Sequence, residues 1–214
     1  MSRKRVQCFV DGFNLYHAID RLGADHLKWN DLRRLVSIFI DPNQHDLREV
    51  FYFSAWADWL PASVARHREY VSAIQAQGCT IRMGRFKESK SRCRLCGKSW
   101  IAHEEKETDV NIALQLLLGA AQDDYDVAML VSRDSDLTPA VRMVRDKFPQ
   151  KQIKIISPPK AGHSKEMGRL VGRKNLSSIK QIHLERTLLP SSVVDPATRS
   201  IVATRPPSYD PPTP

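Results

Sequence analysis

The chain has 214 residues, a net charge of +9 and a hydrophobic fraction of 42%, which suits one α/β domain with extensions or at most two small domains. No segment approaches the ~20 consecutive apolar residues that a membrane span requires. The basic N-terminus leads into an apolar run too short for a signal peptide, so we expect a cytoplasmic protein. Four cysteines in a chain of this length do not make a disulfide framework.

Short apolar runs alternate with segments of helical period along most of the chain. The strand-like runs are residues 6–10, 50–54, 80–86, 127–131 and 153–156. The predicted helices are residues 15–22, 32–39, 62–77, 109–121 and a segment that begins near Pro139. This alternation predicts right-handed βαβ crossovers and a central, mostly parallel sheet of about five strands, with helices on both faces.

The end of the chain differs in composition from the rest. Residues 190–214 hold seven of the thirteen prolines and almost no hydrophobic period. Such a segment is typical of a disordered or extended tail, either a docking peptide or a passive one. The predicted organisation is therefore one folded domain over residues 1–189, with a Cys-x-x-Cys loop inserted at about 87–105, followed by the tail over 190–214.

Acidic residues stand where strands are predicted to end. Asp11 directly follows the first strand, and Asp134 with Asp136 follows the strand over 127–131. Asp109 begins a helix on its apolar face, where a carboxylate is costly to bury unless it is paired or metal-bound. Ligands bind beyond the carboxyl ends of the strands in open parallel sheets. These positions therefore predict an oxygen-rich site for Mg²⁺ or Mn²⁺.

Each acid also has an ordinary explanation. Asp11 suits a turn before Gly12, and Asp134 or Asp136 suits the cap of the next helix. Asp109 suits the first turn of a helix, where the helix dipole favours an acid. The arrival of acids from three separate segments at one edge favours the metal site.

Three motifs of the chain resemble those of the NYN branch of the PIN-like nucleases. They are Val-Asp-Gly-Phe-Asn-Leu at 10–15, Glu-Lys-Glu-Thr-Asp-Val at 105–110 and Leu-Val-Ser-Arg-Asp-Ser-Asp-Leu at 130–137. The resemblance extends over roughly residues 5–190. It implies a three-layer α/β/α, PIN-like (Rossmann-like) fold and an endoribonuclease activity that uses Mg²⁺ or Mn²⁺.

The resemblance also implies roles for individual residues. Asp11, Asp109 and Asp134 would be metal ligands or their immediate supports. Asp136 would complete the acidic cluster, and Asn14 would orient ligands or the scissile phosphate. One metal ion, or two about 4 Å apart, would activate a water and stabilise the leaving oxygen. The expected products carry 5′-phosphate and 3′-hydroxyl ends.

One position departs from the family pattern. The family usually has Ser-Gly-Asp-Ser-Asp where this chain has Arg133 in place of the glycine. Glycine permits positive φ or a close backbone approach. One interpretation is therefore that the arginine disturbs the local geometry and weakens the enzyme. Alternatively, Arg133 would bind a substrate phosphate through two hydrogen bonds.

The Cys-x-x-Cys loop predicts a structural zinc site. Cys93 and Cys96 have the spacing of half a zinc knuckle, and His103 is close enough in sequence to be a third ligand. The fourth ligand is left open between water, Glu104 or Glu105, and a second subunit. The alternatives are a reduced surface pair without metal and the remnant of a former site.

Positive charge is clustered, as expected of a protein that binds a phosphate backbone. Residues 82–106 contain eight Lys or Arg against three acids, and residues 142–186 contain twelve against three. The residues predicted to bind nucleic acid are Arg133, Lys98, Lys160, Lys165, Arg169, Arg173 and Lys174. Trp56, Trp59 and Trp100 are candidates for stacking on unpaired bases, with ordinary packing as the alternative.

The sequence therefore favours a metal-dependent endoribonuclease. The expected partner is RNA, either single-stranded or structured. We expect no interaction with a membrane, and assembly into a homo-oligomer is left open. The first alternative is an RNA-binding module of the same fold with weak or lost catalysis, which Arg133 would explain. A hydrolase of small phosphate esters is less favoured, since a small substrate does not need a distributed basic surface.

Overall fold

A computed structural model describes residues 2–212. Seven strands form one sheet, which is the core of the fold. Within it, every neighbouring pair is parallel except the last two strands at one edge, which are antiparallel. The strands are β1 (Lys4–Asp11), β2 (His45–Ala55), β3 (Cys79–Arg92), β4 (Ser99–Lys106), β5 (Val127–Val131), β6 (Gln152–Ser157) and β7 (Leu176–Ser178), in the spatial order β4-β3-β2-β1-β5-β6-β7.

Helices cover both faces of this sheet. They are α1 (Gly12–Asp20), α2 (Leu32–Ser37), α3 (Pro61–Ala76), α4 (Thr108–Ala121), α5 (Thr138–Lys147), α6 (Lys165–Val171) and α7 (Gln181–Glu185). Along β1, Cys8 and Val10 belong to the core on one face, and Phe9 belongs to the core on the other. Successive strand residues point to opposite faces, so a strand covered on both sides is apolar throughout. The predicted three-layer α/β/α architecture is confirmed, with seven strands instead of about five.

The strand order determines where a ligand site forms. The chain builds β1, β2 and β3 outward on one side, then crosses back to place β5 on the other side of β1. Val10 lies opposite Val131, so β1 and β5 end side by side. A reversal of this kind opens a crevice at the carboxyl ends of the strands.

The segment predicted as an inserted loop at 87–105 is instead a two-stranded ribbon. β3 pairs with β2 as far as Gly84 and then with β4, from Arg85 opposite Lys106 to Arg92 opposite Ser99. The turn between the strands contains the Cys-x-x-Cys pair. Because β4 runs back toward the sheet, its last residues return to the carboxyl edge.

The prediction of a disordered tail is corrected for residues 190–212. β8 (Ser192–Val194) and β9 (Ile201–Thr204) form an antiparallel pair that packs on α3. Val193, Ala203 and Tyr209 are buried in the same core as α1 and α2. These few apolar side chains suffice because the rest of a proline-rich segment needs only extended backbone and turns. Residues 213–214 lie outside the described part of the chain.

Among residues 2–212, no helix combines the length and the apolar composition needed to cross a bilayer.

Candidate active site

Asp11 lies at the end of β1 and forms the N-cap of α1. Its Oδ1 accepts a hydrogen bond from the backbone N–H of Asn14 at 2.9 Å, and its Oδ2 accepts one from Ser132 Oγ at 2.9 Å. The residue is 5% exposed, and burial raises the pKa of its carboxyl group to about 7 against the opposing effect of these hydrogen bonds. The two hydrogen bonds therefore fix the Asp11 side chain in a buried position, where the ionised form of its carboxyl group is unfavourable.

Gly12 allows α1 to begin this close to β2. A Cβ atom at this position would lie 2.6 Å from the carbonyl oxygen of Phe53 and 2.7 Å from ring atoms of Tyr52. Any larger residue would push the first turn of α1 away from the sheet. The glycine of the first motif therefore places the Asp11 cap and Asn14 at the edge.

The loop after β5 is connected to the same cluster. Ser132, which is fully buried, accepts a hydrogen bond from the backbone N–H of Asp134 at 3.0 Å while it donates to Asp11. Asp134 Oδ1 in turn accepts from the backbone N–H of Asp136 at 2.9 Å. These bonds fix the two acidic loops relative to each other.

Arg133 is accommodated in this loop without backbone strain. It does not adopt the positive φ that would require a glycine. Its backbone N–H donates to Asn14 Oδ1 at 3.2 Å, and its exposed side chain lines the acidic cavity. Arg133 therefore does not need the backbone conformation that favours glycine.

The second motif brings two more acids to the edge. Glu105 is near the end of β4 and Asp109 is in the first turn of α4, separated by Glu107, whose φ of 79° is left-handed. Burial is the main cause of the raised pKa of Glu105, and the Asp109 carboxylate adds to it. Burial likewise raises the pKa of Asp109, with further contributions from Asp134 and Asp136. Glu105 Oε1 is buried without a hydrogen-bond partner.

These residues surround a cavity of about 350 Å³ at the carboxyl ends of β1 and β5. Its lining consists of Asp11, Phe13, Asn14, His17, Arg21, Glu105, Asp109, Arg133 and Asp134. The structure thus brings together four carboxylates with two arginines and a histidine. Asp136 does not line the cavity, although its charge acts on Asp109.

The donor types in this cavity suit a hard divalent cation. Mg²⁺ and Mn²⁺ prefer carboxylate and water oxygens, and a cation would offset the cost of burying the ionised carboxylates of Asp11, Glu105 and Asp109. Within residues 2–212, no three His, Cys, Asp or Glu side chains are arranged closely enough to hold a metal ion by themselves. Mg²⁺ is commonly bound through one or two carboxylates with several waters and substrate phosphates. The carboxylates therefore fit such a cation only as part of its ligand sphere.

The ribbon separates one predicted zinc ligand, His103, from the other two, Cys93 and Cys96. Cys93 and Cys96 lie in the ribbon turn, where backbone N–H groups of Cys96 and Leu95 lower the pKa of the Cys93 thiol. His103 is opposite Glu88, four residues along β4 from Ser99, or about 13 Å at ~3.3 Å per residue. Its ring stacks on Trp59 with 3.6 Å between ring centroids. The extended register of the ribbon thus separates His103 from the cysteines.

The predicted phosphate-binding residues are spread over the surface. Lys160 follows the carboxyl end of β6, and α6 carries Lys165 and Arg169. Arg173 and Lys174 precede Asn175, whose Oδ1 accepts a hydrogen bond at 2.8 Å from Gln152 at the amino end of β6. These two residues therefore lie toward the opposite edge of the sheet from the acids. Lys98 lies beside the cysteines at the far end of the ribbon.

Sequence reasoning missed Glu105, His17 and Arg21 as cavity residues. Glu105 opens the second motif, but the only role that the sequence predicts for it is that of a zinc ligand, because the strand that returns it to the edge lies in a segment predicted to be a loop. Its place four residues before Asp109 in the second motif was an available signal. His17 and Arg21 follow Phe13 at intervals of four residues, which places all three on one side of α1.

The fold and the cavity define an α/β/α protein with an acidic site at the switch point of its sheet. Residues 5–169 match the NYN domain, and this match covers more than half of the chain. The chain therefore belongs to the NYN domain family, consistent with the resemblance to PIN-like nucleases.

Individual proteins that are similar to this chain include a curated relative and a solved structure. The 6-hydroxy-3-succinoylpyridine 3-monooxygenase HspA of Pseudomonas putida (strain DSM 28022 / S16) is 26% identical over 179 residues, covering 66% of this chain and 55% of that protein. The chain thus spans about half the length of this curated relative. The crystal structure of a protein of unknown function, VPA0982 from Vibrio parahaemolyticus RIMD 2210633, superposes with a TM-score of 0.56 at 16% identity, covering 87% of this chain and 97% of that one. At this identity the second likeness concerns the fold alone.

Proposed function

We propose that this NYN domain is a metal-dependent endoribonuclease that hydrolyses RNA phosphodiester bonds. The observation that carries the proposal is the convergence of Asp11, Glu105, Asp109 and Asp134 on one cavity of a chain with net charge +9. Burial raises the pKa values of Asp11, Glu105 and Asp109, and such acids mark a functional site because they lower stability unless a ligand compensates. A cation and a phosphate together would provide this compensation.

In this proposal Asp11, Asp109 and Asp134 would hold a Mg²⁺ or Mn²⁺ ion only together with waters and the substrate phosphate, since no three of these side chains are close enough to do so by themselves. When bound, the ion supplies Lewis-acid stabilisation of the negative charge that develops on the phosphate and lowers the pKa of water. Asn14 and Ser132 fix the carboxylate of Asp11 through the two hydrogen bonds described above.

The remaining cavity residues act on the substrate. Glu105 lines the cavity, and its carboxylate accepts a hydrogen bond from the attacking water and orients it. The guanidinium groups of Arg21 and Arg133 bind the nonbridging phosphate oxygens. The phosphate contact of Arg133 thereby offsets the loss of the glycine that the family motif has at this position.

A second candidate function is RNA binding without cleavage. It is favoured by the observation that the cavity carboxylates do not by themselves form a ligand set for a metal ion within residues 2–212. The name of the Pseudomonas putida relative describes oxidation of a pyridine, and that activity is not proposed for this chain, which spans about half of that protein.

End-labelled RNA cleavage tests the leading proposal. Single-stranded and structured RNA is incubated with Mn²⁺, with Mg²⁺ and with EDTA, using wild-type protein, Asp134→Asn and the control Asp146→Asn, which changes an exposed acid on α5. We expect cleavage with either metal, none with EDTA, and a loss of at least about a hundred-fold in Asp134→Asn only. Intact RNA in every lane with salt-sensitive binding would instead establish the non-catalytic module.

A further inference from the structure

A second cavity adjoins the acidic one. It has a volume of about 320 Å³ and lies between α1, the end of β2, the loop after β2 and α3. Phe13 and His17 line both cavities, so the two meet at the first turns of α1. A molecule bound in one cavity therefore lies next to a molecule bound in the other.

The walls of this second cavity are largely aromatic. Phe86 packs edge-on against Phe13 at 5.5 Å and against Trp59 at 4.6 Å between ring centroids. Other aromatic residues in the lining are Tyr16, Tyr52, Tyr70 and Tyr209. Rings of this kind bind planar ligands by stacking and edge-to-face contact.

Most polar groups of the lining are uncharged or already neutralised; the exception is Arg66, whose guanidinium donates to Ser63 Oγ at 3.1 Å. Burial lowers the pKa of His67 to about 4, so its ring is neutral at pH 7, and its Nε2 lies 3.2 Å from the hydroxyl of Tyr52. Burial raises the pKa of Tyr52, which keeps its phenol protonated. The ammonium of Lys28 is paired with Asp20 and Asp25. The aromatic walls thus suit a planar ring with hydrogen-bonding edges, to whose acceptor atoms the Arg66 guanidinium can donate.

We propose that this cavity, here named the base pocket, receives one unpaired nucleobase of the RNA whose phosphate occupies the acidic cavity. The inference rests on the proposed function and adds a substrate class to it. A nucleobase is planar, neutral and edged with donors and acceptors, and a cavity of this size has room for one. Because a base inside a duplex cannot enter such a pocket, the preferred substrate is a single-stranded segment.

The wall that the two cavities share fixes the spacing between the bound base and the bound phosphate along the RNA. Since Phe13 and His17 separate the two cavities, a base in the pocket lies a fixed number of nucleotides from the phosphate among the carboxylates. The enzyme would therefore depend on the presence of a base at one position near the cut and tolerate its absence elsewhere.

An abasic scan tests the inference without requiring cleavage. Fluorescently labelled single-stranded RNAs, each with one abasic nucleotide at a different position, are bound at equilibrium in Ca²⁺, a hard cation with oxygen ligands that allows a phosphate to lie among the carboxylates. The proteins are wild type, Ala57→Phe, which fills the pocket from the loop after β2, and the matched control Ala65→Phe on the exposed side of α3. Thermal melting checks that each variant is folded.

We expect one abasic position to weaken binding to wild type and to Ala65→Phe roughly ten-fold, the size of a lost stacking contact. Ala57→Phe should bind intact RNA about as weakly and show no dependence on abasic position. If every abasic RNA binds wild type like the intact one, the inference is overturned, and this arm does not depend on how a variant folds. Ala57→Phe that is folded and binds like wild type would also overturn it.

The scan also separates this inference from the nuclease proposal. RNA that is bound with position dependence but never cut in Mn²⁺ would retain the base pocket and reject the nuclease. RNA that is cut but bound without position dependence would support the nuclease and reject the base pocket. Binding of a free nucleoside or pyridine, without any abasic effect in RNA, would assign the cavity to a small heterocycle and overturn the inference.

Discussion

The two ends of β1 hold acidic residues in opposite circumstances. At the amino end, Arg5 pairs with Asp123 and with Asp126, and Lys151 pairs with Asp123. Hydrogen bonds from the Arg5 guanidinium lower the pKa of Asp126 to about 2, and hydrogen bonds from Lys151 and Arg5 lower that of Asp123. The acids at this end are ionised, paired and favourable to the fold.

At the carboxyl end, Asp11, Glu105 and Asp109 have raised pKa values, chiefly because they are buried. The neighbouring Arg21 and Arg133 are exposed, and neither forms an ion pair with these acids among the described residues. The fold therefore neutralises its acids at one end and leaves them uncompensated at the other. Local rules of stability are commonly broken at functional sites, so this contrast supports the proposal that a ligand binds at the carboxyl end.

The largest expected effect is a difference in RNA cleavage rate between variants at the two ends of β1. Asp11→Asn should lower the rate of RNA cleavage in Mn²⁺ by at least about a hundred-fold, because it removes a proposed metal ligand while it retains the shape of the side chain. Asp126→Asn, the matched change at the amino end, should leave the rate within about two-fold.

The two rates are measured as kcat/KM on one RNA substrate at the same Mn²⁺ concentration. Equal activity of wild type and Asp11→Asn would contradict the role of the carboxyl edge. Equal losses in both variants would indicate a general effect on folding.

The stability of the same variant should move the other way. In the folded protein the pKa of Asp11 is about 7, above its ordinary value near 4, so the folded state binds the proton more tightly. This contribution is fully present below pH ~4 and is lost as the pH rises to ~7. Asp11→Asn does not titrate, so it should be more stable than wild type by about 2–4 kcal/mol at pH 8 and by much less at pH 4.5.

Urea denaturation in EDTA at the two pH values measures this difference. Mn²⁺ should reduce it at pH 8 by stabilising wild type alone, since a ligand of the folded state raises stability. A stability difference that is the same at both pH values would mean that the proton on Asp11 is not its cause.

A smaller effect of opposite sign is expected at the amino end. The Asp126 carboxyl has a lowered pKa, so its contribution is present above the ordinary value near 4 and is lost as the pH falls toward about 2. Asp126→Asn should lower the free energy of unfolding at pH 7 by about 1 kcal/mol, because the partly exposed pair is screened by solvent. Repeating the urea denaturation in 1 M salt should reduce the loss; an unchanged loss would indicate packing as its source.

The sequence predicted one end of this comparison better than the other. Asp11 and Asp134 follow apolar strands, and a parallel sheet brings such strand ends together, so the acidic edge was predictable. The pairing of Arg5 with Asp126 was not, because it joins residues 121 positions apart and no motif marks either one. The position of Glu105 at the edge was not predictable either, because it requires the antiparallel strand β4, whose polar sequence does not show the apolar pattern of a strand. The folded segment over 190–212 depended on Val193, Ala203 and Tyr209, which are too sparse to form a period.

The smallest expected effect concerns Arg133, which is exposed and free of backbone strain. Arg133→Gly restores the residue of the family motif and removes one phosphate contact, so KM for RNA should rise about three- to five-fold at low salt with little change in kcat. Arg133→Lys keeps the charge without the bidentate geometry and should fall between the two. Because a screened charge loses its value in salt, the difference between wild type and Arg133→Gly should shrink as salt is raised. A higher kcat in Arg133→Gly would instead mean that the arginine hinders the carboxylate edge, and that the departure from the family motif weakens the enzyme.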